Sequence, residues 1–278
     1  MTEPIILAVD LGTSGMKVAL ITVSGKVLGW EVEPLQLVLT SDGGAEQSPQ
    51  EWWGAFLSAS KRLIGRNQAS LSMIRAVCCS TQGEGTVPVD KDGNALSNCI
   101  LWMDMRGAPY LKTQLHGLIN IDGADLFKVL RFVRLTGGMP NLSGKDPAGH
   151  MLFLRDKKPE IYAKTHKFLN VLDYMNLRLT GEFTASFDSI VTSWVTDNRD
   201  PDQLKYNDGL ISVLGIEKEK FPNIVSCSSV IGSLKSDVAG ELGLSSDVKV
   251  VAGSIDNTAA AIGSGAVDDF QPHLYIGT

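Results

Sequence analysis

Asp10-Leu11-Gly12-Thr13-Ser14-Gly15-Met16-Lys17 is the stretch that decides the fold of this chain. It joins two short runs of apolar and β-branched residues, 5–9 and 18–23, and a third run, 27–32, follows a Ser-Gly turn. Glycine-containing turns between such runs predict three antiparallel strands in series. The quoted loop therefore lies at the tip of a strand-turn-strand hairpin.

The composition of this loop suits contact with phosphate. Gly12 lets the backbone approach a ligand closely, and the hydroxyls of Thr13 and Ser14 can donate to phosphate oxygens. Lys17 supplies positive charge, and Asp10 can hold a magnesium ion through water. The alternative is an ordinary hairpin turn rich in small residues, although Asp and Lys are poor choices for plain turn making.

The loop is neither a Walker A loop, because G-x-x-x-x-G-K-[ST] is absent, nor a Rossmann turn, because a strand follows it rather than a helix. It resembles the phosphate-binding hairpin of the actin-like ATPases, which include sugar kinases, actin and chaperone ATPases. This resemblance implies an α/β fold of the actin-like ATPase (ribonuclease H-like) class. It leaves the function open at this point.

Residue periodicity in the rest of the chain predicts a mixed sheet with a helical insertion. Apolar residues recur at helical spacing from Pro49 to Ile64, with Ser48 as the N-cap. The mainly apolar run Ile74 to Cys79 predicts a strand. The predicted helices of the insertion are 107–115, 124–131, 148–155 and 169–179. Beyond it the pattern predicts helices over 201–214 and 256–262 and strands over 249–252 and 274–276.

A second segment rich in small residues follows the predicted strand 249–252. It reads Gly253-Ser254-Ile255-Asp256-Asn257-Thr258-Ala259-Ala260-Ala261-Ile262-Gly263-Ser264-Gly265. Asp256 falls at the predicted start of a helix, where a carboxylate can orient a sugar hydroxyl and accept its proton. The commoner role of a lone Asp at that position is to cap the helix.

The Asp10 loop and the Asp256 segment together resemble the FGGY carbohydrate kinases over essentially the whole chain, most of all xylulokinases. The resemblance implies that Asp256 is the general base for the acceptor hydroxyl and that Asn257 beside it contributes to substrate binding. It implies that the loop from Asp10 to Lys17 faces the transferred phosphate and the metal, and that ATP and Mg²⁺ are the cofactors.

Ser80-Thr81-Gln82-Gly83-Glu84-Gly85 stands where FGGY kinases carry their acceptor-binding turn. Gln82 is the residue that matches best, and we expect it to bind substrate. Xylulokinases typically have Gln-Met-His-Gly here and glycerol kinases Asn-Gln-Arg-Glu, so this turn departs from both. Glu84 can either bind hydroxyls or serve as a polar turn residue.

Ile100-Leu101-Trp102-Met103-Asp104-Met105-Arg106 resembles the family's Leu-Trp-x-Asp-x-Arg segment. An indole face packs on the C–H groups of a sugar, and a carboxylate accepts hydrogen bonds from vicinal hydroxyls. We therefore expect Trp102 and Asp104 to bind substrate. The structural alternatives are Trp102 in the core, Asp104 as a helix N-cap and Arg106 as its partner.

Tyr275-Ile276-Gly277-Thr278 resembles the start of the family's second phosphate motif, Gly-Thr-Ser. We expect residues 1–273 to form the amino-terminal, sugar-binding domain, and 274–278 to begin an ATP-binding domain that is otherwise absent. Gly277 and Thr278 would then contact the nucleotide. Because the family's adenosine pocket lies largely in that second domain, the isolated chain is expected to be inactive or very weak.

The amino-acid composition and net charge argue against some classes of binding partner. A net charge of -6 leaves no basic surface for nucleic acid or anionic membranes. The four cysteines fit neither a disulfide framework nor a metal pattern, and no run approaches the roughly 18 apolar residues of a membrane helix. We expect a cytoplasmic globular protein, without nucleic-acid or membrane partners, whose small-molecule partners are a sugar or polyol and ATP; a homodimer stays open.

The principal functional hypothesis is ATP-dependent phosphorylation of a hydroxyl on a sugar or polyol, a pentulose such as xylulose being first among the acceptors. Glycerol, erythritol, gluconate and a hexulose stay open as acceptors. The alternative from another class is a non-catalytic carbohydrate-binding or regulatory module of the same fold.

Overall fold

The computed structural model describes residues 3–203 and 205–274, and a six-stranded mixed sheet lies at its centre. The strands of this sheet are β1 (Ile5–Leu11), β2 (Gly15–Thr22), β3 (Val27–Pro34), β4 (Ile74–Thr81), β5 (Val230–Ser233) and β6 (Lys249–Ile255). Their order across the sheet is β5-β6-β4-β1-β2-β3. Strands β1 to β3 pair antiparallel, whereas β1, β4 and β6 run parallel to one another. The predicted hairpins and mixed sheet are thus confirmed.

The sequence pattern does not predict three short helices, 159–164, 187–190 and 236–242, whereas each predicted helix has a counterpart among the helices of the structure. They are α1 (Pro49–Arg66), α2 (Ala108–Leu115), α3 (Leu126–Thr136), α4 (Pro147–Lys157), α5 (Pro159–Lys164), α6 (Val171–Thr180), α7 (Phe187–Ile190), α8 (Asp208–Leu214), α9 (Ser236–Leu242) and α10 (Asp256–Gly263). The N-cap of α1 is Ser48, whose side chain accepts a hydrogen bond from the Glu51 N–H, and Pro49 follows it. This is the capping predicted from the sequence.

The buried apolar side chains form two hydrophobic cores. The first lies between the sheet and the helices α1, α6 and α9, with Trp52 of α1 fully buried and in edge-to-face contact with Tyr174 of α6. The second holds the helical insertion together through buried residues such as Phe132, Met151 and Leu210. Because α6 carries residues of the first core and starts directly after a strand of the second, it ties the insertion to the sheet.

The remaining short strands pair with one another in small sheets of two or three strands. Those that lie outside the central sheet are Val38–Leu39, Ala45–Gln47, Val87–Val89, Cys99–Ile100, Asn120–Ile121, Ala124–Asp125, Lys167–Leu169, Thr184–Ser186, Thr196–Asp197, Lys205–Tyr206 and Asn223–Val225. Within the described ranges, no helix is long and apolar enough to cross a membrane.

One predicted helix begins too early. The helix expected over 201–214 covers only Asp208–Leu214, because Lys205–Tyr206 pair instead as a strand with Thr196–Asp197. The Asn207 side chain then accepts from the Leu210 N–H and caps the helix. The strand predicted over 274–276, and the predicted cofactor residues Gly277 and Thr278, lie outside the described residues except for Leu274.

A glycine sets the register of β6. The pairing of β6 with β4 shifts between Val251 and Ser254, and Gly253 lies in this irregularity with φ +75. A Cβ on Gly253 would come within 2.1 Å of the Cys79 carbonyl oxygen. Only glycine therefore allows β6 to lie against β4 here, and the shifted register pairs Ile255 with Thr81.

We expect Gly253→Ala to lower the free energy of unfolding by about 1–3 kcal/mol for the left-handed backbone and by about 1–3 kcal/mol more for the clash. The matched control is Gly25→Ala, since Gly25 has φ +86 but no atom within 4 Å of its virtual Cβ. Urea unfolding of both variants measures the difference. Equal losses in the two variants would contradict the steric argument.

Candidate active site

The loops that follow β1, β4 and β6 meet at one edge of the sheet. These strands are parallel neighbours, and their last residues, Leu11, Thr81 and Ile255, lie in one row across the sheet. The Gln82 N–H donates to the Leu11 carbonyl oxygen at 2.8 Å and extends the pairing by one residue. Asp256 follows Ile255 directly, so residues far apart in sequence come together where ligands of open α/β sheets commonly bind.

A cavity of about 320 Å³ opens at this edge. It is lined by Thr13, Gln82, Gly83, Glu84, Trp102, Ile255, Asp256 and Asn257. Five of the residues predicted from the sequence are among them: Thr13, Gln82, Trp102, Asp256 and Asn257. A volume of this size can hold a small sugar or polyol.

Thr13 connects the phosphate loop to the acceptor-binding turn. Its hydroxyl accepts a hydrogen bond from Trp102 Nε1 at 3.3 Å and donates to Gln82 Oε1 at 2.8 Å. Because an indole N–H can only donate, the direction of this chain of hydrogen bonds is determined. The chain holds the Trp102 ring and the Gln82 amide in fixed positions beside the cavity.

Gln47, at the end of a short strand before α1, completes this network and was not singled out in the sequence. It is buried, and its Oε1 accepts from Gln82 Nε2 at 2.9 Å and from Trp52 Nε1 at 3.2 Å. Its Nε2 donates to the Thr13 carbonyl oxygen at 2.7 Å. Both the oxygen and the nitrogen of the Gln82 amide are therefore hydrogen-bonded to protein partners.

The remaining predicted phosphate-loop residues lie beside the cavity rather than in its lining. Asp10 and Lys17 face each other across the β1–β2 hairpin, with Lys17 Nζ 2.9 Å from Asp10 Oδ2. Gly12 and Ser14 form the turn, where the Gly12 N–H donates to the Gly15 carbonyl oxygen at 3.0 Å. Both side chains of the ion pair are partly exposed to solvent.

Asp256 does not cap its helix through its side chain. Its Oδ1 accepts from the next N–H, that of Asn257, at 2.8 Å. The start of α10 is held instead by Asp188 of α7, which accepts from the Ile255 N–H at 2.8 Å and from the Thr258 hydroxyl at 2.9 Å. Asp188 thus holds the backbone N–H before Asp256 and the Thr258 side chain after it, and the Asp256 carboxylate lines the cavity.

Burial raises the pKa of the Asp256 carboxyl above its ordinary value, and the negative charge of Asp10 raises it further. The Asn257 N–H and the positive charge of Lys17 oppose this shift. A carboxylate whose pKa is raised accepts a proton more readily. The charges of Asp10 and Asp256 act on each other, so the two groups belong to one electrostatic unit.

The side chains near Asp10 and Asp256 show whether this part of the site could hold a metal ion. Within residues 3–203 and 205–274, no three His, Cys, Asp or Glu side chains form a group that could hold a metal. Mg²⁺ in kinases is commonly held by one or two carboxylates, with substrate phosphates and water completing its shell. Asp10, which is exposed beside Asp256, fits that donor set.

Asp104 is the predicted substrate-binding residue that the structure does not bring to the cavity. Its side chain is fully buried, and its carboxylate accepts from the Ala45 N–H at 2.9 Å and pairs with Arg106 at 2.6 Å. Arg106 also pairs with Glu46 at 2.6 Å. The geometry therefore gives Asp104 a structural role, fixing the segment that carries Trp102 against the strand that carries Gln47.

Comparison with known proteins assigns the family. A model of the N-terminal domain of the FGGY family of carbohydrate kinases matches residues 5–263. The chain belongs to the FGGY family of carbohydrate kinases. The resemblance inferred from the Asp10 loop and the Asp256 segment is confirmed.

Xylulose kinases are among the similar relatives. The xylulose kinase of Escherichia coli (strain K12) is 32% identical over 275 residues, which cover 98% of this chain and 52% of that protein. A xylulose kinase of Staphylococcus epidermidis is 30% identical over 278 residues, covering 100% of this chain and 52% of that protein. The chain thus spans about half the length of these relatives.

A solved structure supports the fold class. The crystal structure of gluconate kinase from Lactobacillus acidophilus, 25% identical, superposes with a TM-score of 0.81 and covers 96% of this chain and 51% of that chain. The α/β fold of the actin-like ATPase class, with its mixed sheet, is confirmed.

We expect Gln47→Leu to destabilise the protein because it leaves the Trp52 N–H and the Gln82 amide N–H₂ buried without an acceptor. Each such group costs about 1–3 kcal/mol. The control is Gln50→Leu, an equal change at an exposed position three residues away, for which a change within about 0.5 kcal/mol is expected. Urea unfolding compares them, and similar values would contradict the proposed network.

We expect Asp188→Ala to release the start of α10. Removing a hydrogen bond to a charged acceptor costs about 1.5–3 kcal/mol, which corresponds to roughly 10–100-fold faster exchange of the Ile255 amide hydrogen. Asp188→Asn, which keeps an acceptor oxygen, should lose much less protection. Amide exchange followed by NMR measures both variants, and unchanged protection in Asp188→Ala would disprove the clamp.

Proposed function

We propose that the full-length protein transfers the terminal phosphoryl group of ATP to a hydroxyl of a sugar or polyol. The observation that carries this proposal is the meeting of the Asp256 carboxylate and the Thr13 phosphate loop at one cavity. Phosphoryl transfer depends mainly on positioning and charge neutralisation. The half-buried Asp256 carboxylate beside the loop from Asp10 to Lys17 suits that reaction.

Asp256 acts as the general base in this proposal. It would accept the proton of the acceptor hydroxyl as the hydroxyl oxygen attacks the γ-phosphorus, and ADP would leave with the β–γ bridging oxygen. Lys17, the Thr13 N–H, and the N–H and hydroxyl of Ser14 would bind the phosphate oxygens. Asp10 would hold Mg²⁺, which supplies further neutralisation of phosphate charge.

The acceptor side is formed by Trp102, Gln82 and Asn257. The Trp102 ring lines the cavity, and its N–H donates to the Thr13 hydroxyl. The ring would therefore contribute its apolar face to a sugar. We propose a pentulose such as xylulose as the acceptor, supported by the similarity to xylulose kinases over the whole chain. The acceptor-binding turn differs from the motif that xylulokinases typically carry, so glycerol, erythritol, gluconate and hexuloses belong in the test.

We also propose that residues 1–273 form the sugar-binding domain and that ATP binding requires a second domain beginning near 274, with Gly277 and Thr278 in its phosphate motif. The chain's coverage of about half of each relative supports this. The chain of residues 1–278 alone should then show little or no turnover. Catalysis by kinases of this kind requires closure around both substrates.

The decisive experiment is an ADP-release assay of the full-length protein with Mg²⁺ and a panel of pentuloses, hexuloses, polyols and gluconate. We expect turnover on at least one neutral acceptor and a loss of about 10²–10⁴-fold in kcat for Asp256→Asn, with little change in sugar affinity. The matched control is Asp269→Asn, the same change at an exposed position further along the chain.

The alternative is a non-catalytic carbohydrate-binding module of the same fold. Sugar binding without ADP release across the whole panel would establish that alternative and overturn the kinase proposal. Turnover that survives Asp256→Asn would leave the kinase in place but remove Asp256 as its base.

A further inference from the structure

We propose that Glu84 makes this cavity select uncharged polyols and ketoses and reject acceptors that carry a carboxylate, such as aldonates. The inference rests on the proposed function, because it names the class of acceptor that the same cavity admits. It goes beyond that function in making one residue of the atypical turn the determinant of charge selection.

Glu84 is held in an unusual backbone conformation. Its φ is +58, a left-handed value that non-glycine residues seldom adopt and that persists only where the surroundings enforce it. The turn is enforced by close packing: a Cβ on the next residue, Gly85, would lie 2.5 Å from Val171 Cγ2 and 3.0 Å from Cys99 Sγ. The rigid turn therefore presents the Glu84 side chain to the cavity, where Glu84 is part of the lining.

The Glu84 carboxyl has no hydrogen-bond or ion-pair partner among the residues that the structure describes. The charge that acts on it is that of Asp146, a buried carboxylate that itself accepts from Trp194 Nε1 at 2.8 Å. Burial, and secondarily Asp146, raise the pKa of Glu84 to about 7. A half-buried carboxyl group kept without a partner costs stability, and a ligand with hydroxyl groups would satisfy it.

Within the part of the chain that the structure describes, the cavity lining carries negative charge only. Its ionisable residues are Glu84 and Asp256, and no described Lys, Arg or His lines it. The nearby Lys17 is engaged by Asp10 on the phosphate side. A ligand carboxylate would therefore meet two like charges in a partly dehydrated site without a compensating cation.

Hydroxyl groups suit the same surroundings. They donate to an ionised carboxylate and accept from a protonated one, so a polyol or ketose binds Glu84 in either protonation state. A carboxylate can be accommodated only when Glu84 is protonated. The same contacts that favour a neutral acceptor thus act against an anionic one, which is how specificity between similar ligands commonly arises.

The test is calorimetric binding, without ATP, to the full-length protein. The ligands are two matched pairs of equal chain length, xylitol with D-xylonate and sorbitol with D-gluconate. We expect the unmodified protein to bind one neutral member at least about tenfold more tightly than its aldonate at pH 8. Glu84→Gln, which keeps size and hydrogen bonding but removes the charge, should reduce that ratio at least about fivefold, mainly through tighter aldonate binding.

Two further variants keep the result interpretable. Glu84→Gly removes the carboxyl while relaxing the left-handed backbone, so it should fold and lose discrimination even if Glu84→Gln does not fold. Glu182→Gln, the same change at an exposed position, should leave the ratio unchanged.

Aldonate binding equal to or tighter than polyol binding in the unmodified protein would overturn the inference, as would an unchanged ratio in both Glu84 variants or the failure of every ligand to bind. Because these measurements involve no phosphoryl transfer, they are independent of the ADP-release assay. Charge selection without ADP release would reject the kinase alone, and ADP release with gluconate as the preferred acceptor would reject only the role of Glu84.

Discussion

The parallel hydrogen-bonded register of β1, β4 and β6 is the constraint on which the site depends. It aligns Leu11, Thr81 and Ile255 at one edge of the sheet. The residues that line the cavity lie at or just beyond these strand ends, except Trp102, which hydrogen-bonds to Thr13 in the loop after β1. The register itself depends on Gly253, whose missing side chain lets β6 shift against the Cys79 carbonyl. A backbone feature in the strand that leads to Asp256 thus determines where Asp256 lies.

A second layer of polar contacts converts this register into a fixed geometry. Gln47 links the phosphate loop to the Gln82 turn by hydrogen bonds in a buried setting, where such bonds are strong and unpaired groups are costly. Asp188 does the same for the start of α10. Neither residue lines the cavity, so each acts by positioning residues that do. Such positioning hydrogen bonds suit a site that must hold separate loops in one arrangement.

Negative charge lines the acceptor side of the site, and an ion pair lies on its phosphate side. Glu84 and Asp256 line the cavity, whereas Lys17 and Asp10 pair on the hairpin that faces the proposed nucleotide. The negative lining suits a neutral acceptor, and the Lys17 ammonium supplies positive charge for an anionic phosphate donor. Buried Asp104, by contrast, is neutralised by Arg106 and contributes packing of the Trp102 segment.

The sequence by itself determined the family, the strand-turn-strand hairpin, the order of most helices and the candidate base Asp256, because these depend on local spacing and on residue types adjacent in the chain. Tertiary structure alone decided that Gln47 and Asp188 support the site, that Asp104 is buried away from the cavity, and that a strand replaces the start of the helix expected at 201. The physical reason is that a hydrogen bond or an ion pair between distant residues leaves no periodic signal. A glutamine before a helix looks the same in sequence whether its amide faces water or bonds to a turn 35 residues away.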